Sequence, residues 1–193
     1  MRIGITLTSS LEVHQKYIEL TKKVASLLAH QGHGIVYGGT AYGMMITLAE
    51  TYKQEGGKDL CGVLAEDLMN VTKNYKKFEH LDEEHVVKTM EDRKDKIISL
   101  ADAYIVLPGG YGTFEEIGSI IGGQVNKLYS KPIAFYNHEG FYDTLFNFFS
   151  EMYDKKFSKI PYKSLFFSSD SLDEILEYCL HYSKKELVDK FVK

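Results

Sequence analysis

The stretch Tyr104–Glu116, YIVLPGGYGTFEE, decides the fold. An apolar run of strand character ends at Leu107, a glycine-rich turn follows, and a helix starts near Thr113 with Glu115 and Glu116 in its first turn. Gly109, Gly110 and Gly112 let the backbone take unusual dihedrals and approach a ligand closely. The amino end of the helix offers unpaired N–H groups and partial positive charge to a phosphate. An ordinary strand-to-helix turn also tolerates glycine, but Pro-Gly-Gly-x-Gly-Thr followed by two carboxylates is dense for a purely structural connection. The turn lacks both GxGxxG spacing and the Gly-Lys-Ser/Thr end of a P-loop, which counts against dinucleotide oxidoreduction and ATP hydrolysis.

Outward from this stretch, strand-like and helix-period segments alternate, which is the pattern of a parallel sheet with helices on both faces. Strands are expected at Arg2–Thr8, Gly34–Tyr37, Asp59–Leu64, Glu84–Lys88, Ala103–Leu107, Pro132–Tyr136 and Leu165–Ser168. Helices are expected at His14–His30, Gly43–Glu55, Met90–Leu100, Thr113–Leu128 and Tyr142–Lys155, with a last one from Leu172. Ala65–Asp82 is charged, weakly patterned and read as an irregular segment passing near the active site. The prediction is a single α/β domain with a Rossmann-like parallel sheet, over residues 1–183. Residues 184–193 read as a solvated helical extension or a dimer-capping tail. A second glycine turn, Gly38–Gly43, also joins a strand to a helix, so two helix amino ends stand ready for an anion at one edge of the sheet.

Composition bounds the function. A chain of 193 residues, 44% hydrophobic and 26% charged, can bury a substantial core, and no stretch has the length and apolarity of a membrane span. A net charge of −4 argues against binding a nucleic acid polymer. Cys61 and Cys179 are far apart, without CxxC spacing, and read as buried thiols of a cytoplasmic protein. His14, His30, His33, His80, His85, His138 and His181 are scattered with no ligand spacing, so no metal is expected. The Tyr and Phe concentration from Phe135 to Phe157 reads as core or interface at helical spacing.

Pro108–Glu116 matches the PGGxGTxxE signature of the Lonely Guy phosphoribohydrolases, proteins often labelled lysine decarboxylase-like, and Met90–Lys94 matches the MxxRK segment that precedes it. Tyr37-Gly38-Gly39 with Gly43-Met44-Met45 resembles the family's YGGGxxGLM turn, and Ser9-Ser10 falls where its first strand ends in a Gly-Ser-Ser loop. The resemblance covers most of Arg2–Lys156. It implies cleavage of the N-glycosidic bond of a nucleoside 5′-monophosphate, AMP or an N6-prenyl-AMP, with no cofactor and no membrane partner. It also implies a homodimer with its sites near the subunit interface.

Carried over residue by residue, the resemblance makes Arg93 and Glu116 the catalytic pair, and the Gly109–Thr113 turn the holder of the 5′-phosphate. Ser9, Gly38, Gly39, Met90, Pro108, Gly110, Tyr111 and Gly112 join it as substrate-binding positions, with Lys94 as a further cation for the same anion. The chemistry suits the assignment: breaking the bond builds positive charge on the ribose, which a carboxylate stabilises, and negative charge on the base, which an arginine stabilises. Glu116 also has the chemistry to hold the ribose hydroxyls or position the attacking water. The structural alternatives are i, i+4 pairing for Arg93 within the charge run Glu91–Lys96, and a dipole-favoured first-turn position for both Glu115 and Glu116.

The chain departs from the family pattern at Thr40, in place of a third glycine, and at Thr8, where glycine precedes the serines. It departs again at Ala65-Glu66-Asp67 and at Gly122-Gly123-Gln124, where only the glutamine is retained. These changes are expected on the base side of the pocket. A non-catalytic nucleotide or molybdenum-cofactor carrier is the alternative function. Lysine decarboxylation would need pyridoxal phosphate on a lysine, for which no motif is present.

Overall fold

Parallel strands require a crossover after each one, and this chain supplies a helix almost every time. In a computed structural model that describes residues 1–189, β1 (Arg2–Thr6) leads to α1 (Gln15–His30), β2 (Gly34–Tyr37) to α2 (Gly43–Gln54), and β3 (Leu60–Ala65) to the short α3 (Glu66–Val71). β4 (Glu83–Val87) precedes α4 (Met90–Leu100), and β5 (Ala103–Val106) precedes α5 (Tyr111–Val125). β6 (Ile133–Tyr136) precedes α6 (Asp143–Asp154), and β7 (Phe167–Ser169) precedes α7 (Leu172–Leu180). Among the described residues the strands form one 7-stranded sheet in the order β4-β3-β2-β1-β5-β6-β7, every pair parallel. The single Rossmann-like α/β domain expected from the sequence is the fold observed.

Alternation along the strands splits the core into two layers. Ile3, Ile5, Ile35, Ala103 and Ile105 pack with Leu20, Val24 and Leu28 of α1, Met44 and Leu48 of α2, and Ile175 and Cys179 of α7. Their strand neighbours Val36, Cys61, Val63, Tyr104 and Val106 pack with Ile97 of α4, Ile117 and Ile120 of α5, and Phe146 of α6. Each fully buried side chain of this size contributes roughly 1.5–3 kcal/mol through removal of apolar surface from water. Both cysteines are free and buried, and burial pushes the Cys61 thiol up to about 11 and the Cys179 thiol up to about 12, the opposite of what a reactive thiol needs.

One expectation needs correction, and one open alternative is narrowed. The Ala65–Asp82 segment contains α3, whose start at Glu66-Asp67 carries the acidic first turn of a helix. At the other end, α7 stops at Leu180, and residues 182–189 form no helix. Apolar positions there are too sparse for a packed helical face, and a short helix without packing is marginal in water. Residues 190–193 of the expected extension lie outside the described residues.

The strand order places the site. From β1 the chain winds outward through β2, β3 and β4, then returns to β5 on the other side of β1 and winds away through β6 and β7. The connections leaving β1 and β5 therefore diverge, and open parallel sheets bind ligands in the crevice between such strands at their carboxyl ends.

Candidate active site

A cavity of about 200 Å³ occupies that crevice. Leu7, Thr8 and Ser9 line it from the end of β1, and Gly110, Tyr111, Gly112 and Thr113 from the turn after β5. Thr40 and Met45 line it from the β2–α2 connection, Leu68 from α3, and Met90 and Arg93 from α4, with Glu116 completing the wall from α5. A larger recess of about 470 Å³ lies between Gln124–Ser130 and the 184–187 tail, but no catalytic pair converges on it.

The two candidate helix amino ends are not equivalent. The amide of Met44, in the first turn of α2, donates to the Thr8 carbonyl at 3.2 Å, and Gly43, at φ +53°, lies against the backbone of Ser9 and Ser10. That end of α2 is tied to the loop after β1. α5 instead starts from Gly110 in an extended conformation with no side chain capping it. Its first amides have no acceptor within the helix, and the residues that carry them line the cavity. Thr113, at the start of α5, is 3% exposed, and its hydroxyl has no hydrogen-bond partner. A Cβ on Gly109 would overlap the Thr113 side chain, so the glycine allows the close approach of turn and helix.

Arg93 is held by α4, whose start is fixed on two sides. Thr89 and Asp92 form a capping box, and the Asp67 carboxylate accepts from the Met90 amide at 3.0 Å, tying α3 to α4. Arg93 is 4% exposed and donates from Nε to the Val63 carbonyl at 2.8 Å. Its Nη1 lies 3.6 Å from Oε1 of Glu116, and its Nη2 occupies the space where a Cβ on Gly38 would stand. Gly38 thus makes room for the guanidinium. Gly39, at φ +71°, lies against the Cα of Gly62, and neither glycine lines the cavity.

The Glu116 side chain is 15% exposed, and its carboxyl is pushed up to about 7, first by burial. Arg93 pulls it down, Glu115 pushes it up, and Lys94 pulls it down. Because the native value lies above that of an ordinary carboxylate, stability linked to this group is complete below the ordinary range and is lost as pH rises through about 7.

The structure brings Ser9, Met90, Arg93, Gly110–Thr113 and Glu116 together around one cavity. It does not bring Lys94 there: its ammonium sits between Glu115, at 2.6 Å, and Glu91, at 3.0 Å. Pro108 is buried behind the turn. Gly122-Gly123-Gln124 is also remote from the cavity wall. Gln124 is 3% exposed and spends its amide on the Leu165 carbonyl at 2.9 Å and the Lys131 amide at 3.1 Å. Of the departures, Thr8 and Thr40 do reach the cavity, Thr40 with its hydroxyl 2.8 Å from the Met45 sulfur. Leu7, Met45 and Leu68 are lining residues that sequence reading missed. Their apolar character is indistinguishable from core until the sheet order is known.

Comparison with known proteins follows the same lines. The family described as "Possible lysine decarboxylase" matches residues 44–179. The chain is 30% identical over 193 residues to the cytokinin riboside 5′-monophosphate phosphoribohydrolase LOG2 of Arabidopsis thaliana, covering 99% of this chain and 87% of that protein. It is 33% identical over 142 residues to the probable cytokinin riboside 5′-monophosphate phosphoribohydrolase LOG4 of Oryza sativa subsp. japonica, covering 74% of this chain and 60% of that protein. Among solved structures, the molybdenum cofactor carrier protein of Chlamydomonas reinhardtii superposes with a TM-score of 0.65 at 15% identity, over 91% of this chain and 98% of that one. At that identity the likeness shows a shared fold.

Proposed function

The chain belongs to the Lonely Guy family, whose sequence model is described as possible lysine decarboxylase, and from this premise we propose that it hydrolyses the N-glycosidic bond of a nucleoside 5′-monophosphate to free base and ribose 5-phosphate. The observation that carries the reading is the Arg93–Glu116 pair, 3.6 Å apart, in the same cavity as the uncapped amino end of α5. The phosphate binds the amides of the Gly110–Thr113 turn, with the Ser9 hydroxyl beside it. Ribose C1′ then stands near Glu116, and the base extends toward Arg93 and the apolar wall of Met45, Leu68 and Met90. As the C1′–N bond breaks, its electron pair moves onto the base, and the ionised Glu116 stabilises the positive charge growing on C1′ and O4′. A water oxygen bonds to C1′, one of its protons passes to the base, and Arg93 supports the base while it carries negative charge.

The pH profile tests this role. With Glu116 pushed up to about 7, kcat/KM for base release should rise about tenfold per pH unit below that value and flatten above it. A rate that climbs as pH falls would require the protonated acid and contradict the carboxylate role. A nucleotide or molybdenum-cofactor carrier, the alternative suggested by the Chlamydomonas fold, predicts binding without turnover. A carrier has no need of a carboxylate beside its anionic ligand, but the pairing with Arg93 offsets the repulsion of phosphate here, so turnover is what separates the two readings.

The outer face of α5 supports a homodimer. Phe114 is 53% exposed, and one and two turns further along, Gly118 and Gly122 open onto free space, so a second helix can approach closely there. Tyr111, 96% exposed, adjoins both this face and the cavity. Light scattering should give the mass of two chains for the wild type and of one for Phe114→Glu; a wild-type monomer would end the dimer reading.

A further inference from the structure

The ladder between the outer strands β3 and β4 assembles side chains that sequence spacing keeps apart. Cys61 stands opposite Glu83 and Val63 opposite His85, so the side chains of Cys61, Glu83 and His85 project from one face of the sheet. The Cys61 Sγ, a Glu83 carboxylate oxygen and a His85 ring nitrogen all lie within 4.8 Å of one another. We propose that these three residues bind a divalent transition-metal ion of the zinc class at the amino-terminal edge of β3 and β4.

The donor set determines the class of ion. One sulfur, one imidazole nitrogen and one carboxylate oxygen form a borderline-soft group suited to Zn²⁺ or Co²⁺, whereas Mg²⁺ and Ca²⁺ favour oxygen donors alone. Three protein ligands leave a fourth tetrahedral position for water. Cys61 is fully buried, while the His85 and Glu83 side chains are 27% and 38% exposed, which gives an ion a route from solvent. The His85 Nε2 is already 2.6 Å from Glu83 Oε1, so the two donor atoms converge and need only a small separation to share an ion.

Arg2 and Lys96 are the cations that act on Cys61; Arg2 contacts the ligand set directly, and its setting limits its opposition to a bound ion. Its Nη2 lies 2.8 Å from Glu83 Oε2, which leaves Oε1 for the ion and fixes the carboxylate's orientation from outside the ligand set. The same guanidinium is paired with Asp59, so its charge is already partnered. On binding, the sulfur–metal bond forms as the thiol proton leaves to water, with no change of oxidation state. The three residues do not line the catalytic cavity and the site does not depend on the hydrolase reading, although His85 stands opposite Val63, whose carbonyl accepts from Arg93 Nε at 2.8 Å. An ion there clips edge strand β4 to β3.

Cobalt provides the probe. Full-length protein, treated with EDTA and desalted, is titrated with Co²⁺. The expected result is one ion per chain, with visible absorption of tetrahedral character and a thiolate-to-cobalt charge-transfer band in the near ultraviolet, both displaced by Zn²⁺. Cys61→Ser should lose the charge-transfer band. His85→Gln, at a partly buried position, should weaken Co²⁺ binding by at least about a hundredfold, more than loss of an outer-shell partner costs, with an unchanged circular dichroism spectrum. Absence of cobalt uptake by the wild type, or a spectrum identical in wild type and both variants, overturns the site.

Discussion

Glu116→Gln is expected to slow base release by about 10³-fold while the protein still binds nucleotide, a loss of roughly 4 kcal/mol of transition-state stabilisation. Glutamine keeps the size of the side chain and removes its charge, so the cavity keeps its shape. Binding should be unchanged or tighter, because a negative group no longer faces the phosphate. The substitution also relieves the buried carboxyl, whose rise to about 7 reflects the cost of ionising it there. The variant should therefore melt at the same temperature as the wild type or higher above pH 7, which separates lost chemistry from lost folding. Titration of AMP into the variant and single-turnover assays give both quantities. Wild-type turnover in this variant would remove Glu116 from the reaction.

Arg93→Lys is the second large effect, with an expected loss of about 10²-fold in kcat/KM and an upward shift of the acid limb of the pH profile. The guanidinium uses separate nitrogens to reach Val63 and Glu116, and a lysine ammonium on a flexible stem cannot reproduce that planar fork. Arg93 opposes the upward push of burial on Glu116, so moving the cation away lets the carboxyl rise further. The variant should then need a higher pH than the wild type to ionise Glu116. An acid limb in the same place, with kcat/KM unchanged, would show that Arg93 neither tunes the carboxylate nor supports the leaving base.

The elements were legible where local signals and tertiary packing agree. α4 spans Met90–Leu100 as the sequence predicts, because Thr89 and Asp92 cap its start and Ile97 faces the core. β2 likewise matches at Gly34–Tyr37, bounded by glycine on both sides. The start of α5 lies two residues before the expected Thr113, since Gly110, extended at φ −99° and ψ −152°, serves as its cap. Glycine carries no side chain by which a cap can be recognised.

The site was legible through its motifs and less so through its geometry. The Gly110–Thr113 turn, Arg93 and Glu116 do share a cavity, but Gly38 faces Arg93, and Lys94 is turned to Glu91 and Glu115. Apart from the i, i+3 pairing of Lys94 with Glu91, these placements depend on how α4 packs against β2 and α5, which no spacing within a single segment encodes. The same holds for His85 beside Cys61: only the register of β3 on β4 makes them neighbours. Gln124 shows the reverse case, a motif-like residue whose polar groups are consumed by the backbone of Leu165 and Lys131.

The most direct measurement incubates the wild-type protein at pH 8, where Glu116 is ionised, with AMP, GMP, CMP, UMP and N6-isopentenyl-AMP, and identifies the products by chromatography. Equal amounts of free base and ribose 5-phosphate are expected from at least one of these nucleotides, released about 10³-fold more slowly by Glu116→Gln. Nucleotides that bind the wild type and are recovered intact would contradict the hydrolase reading and leave a carrier in its place.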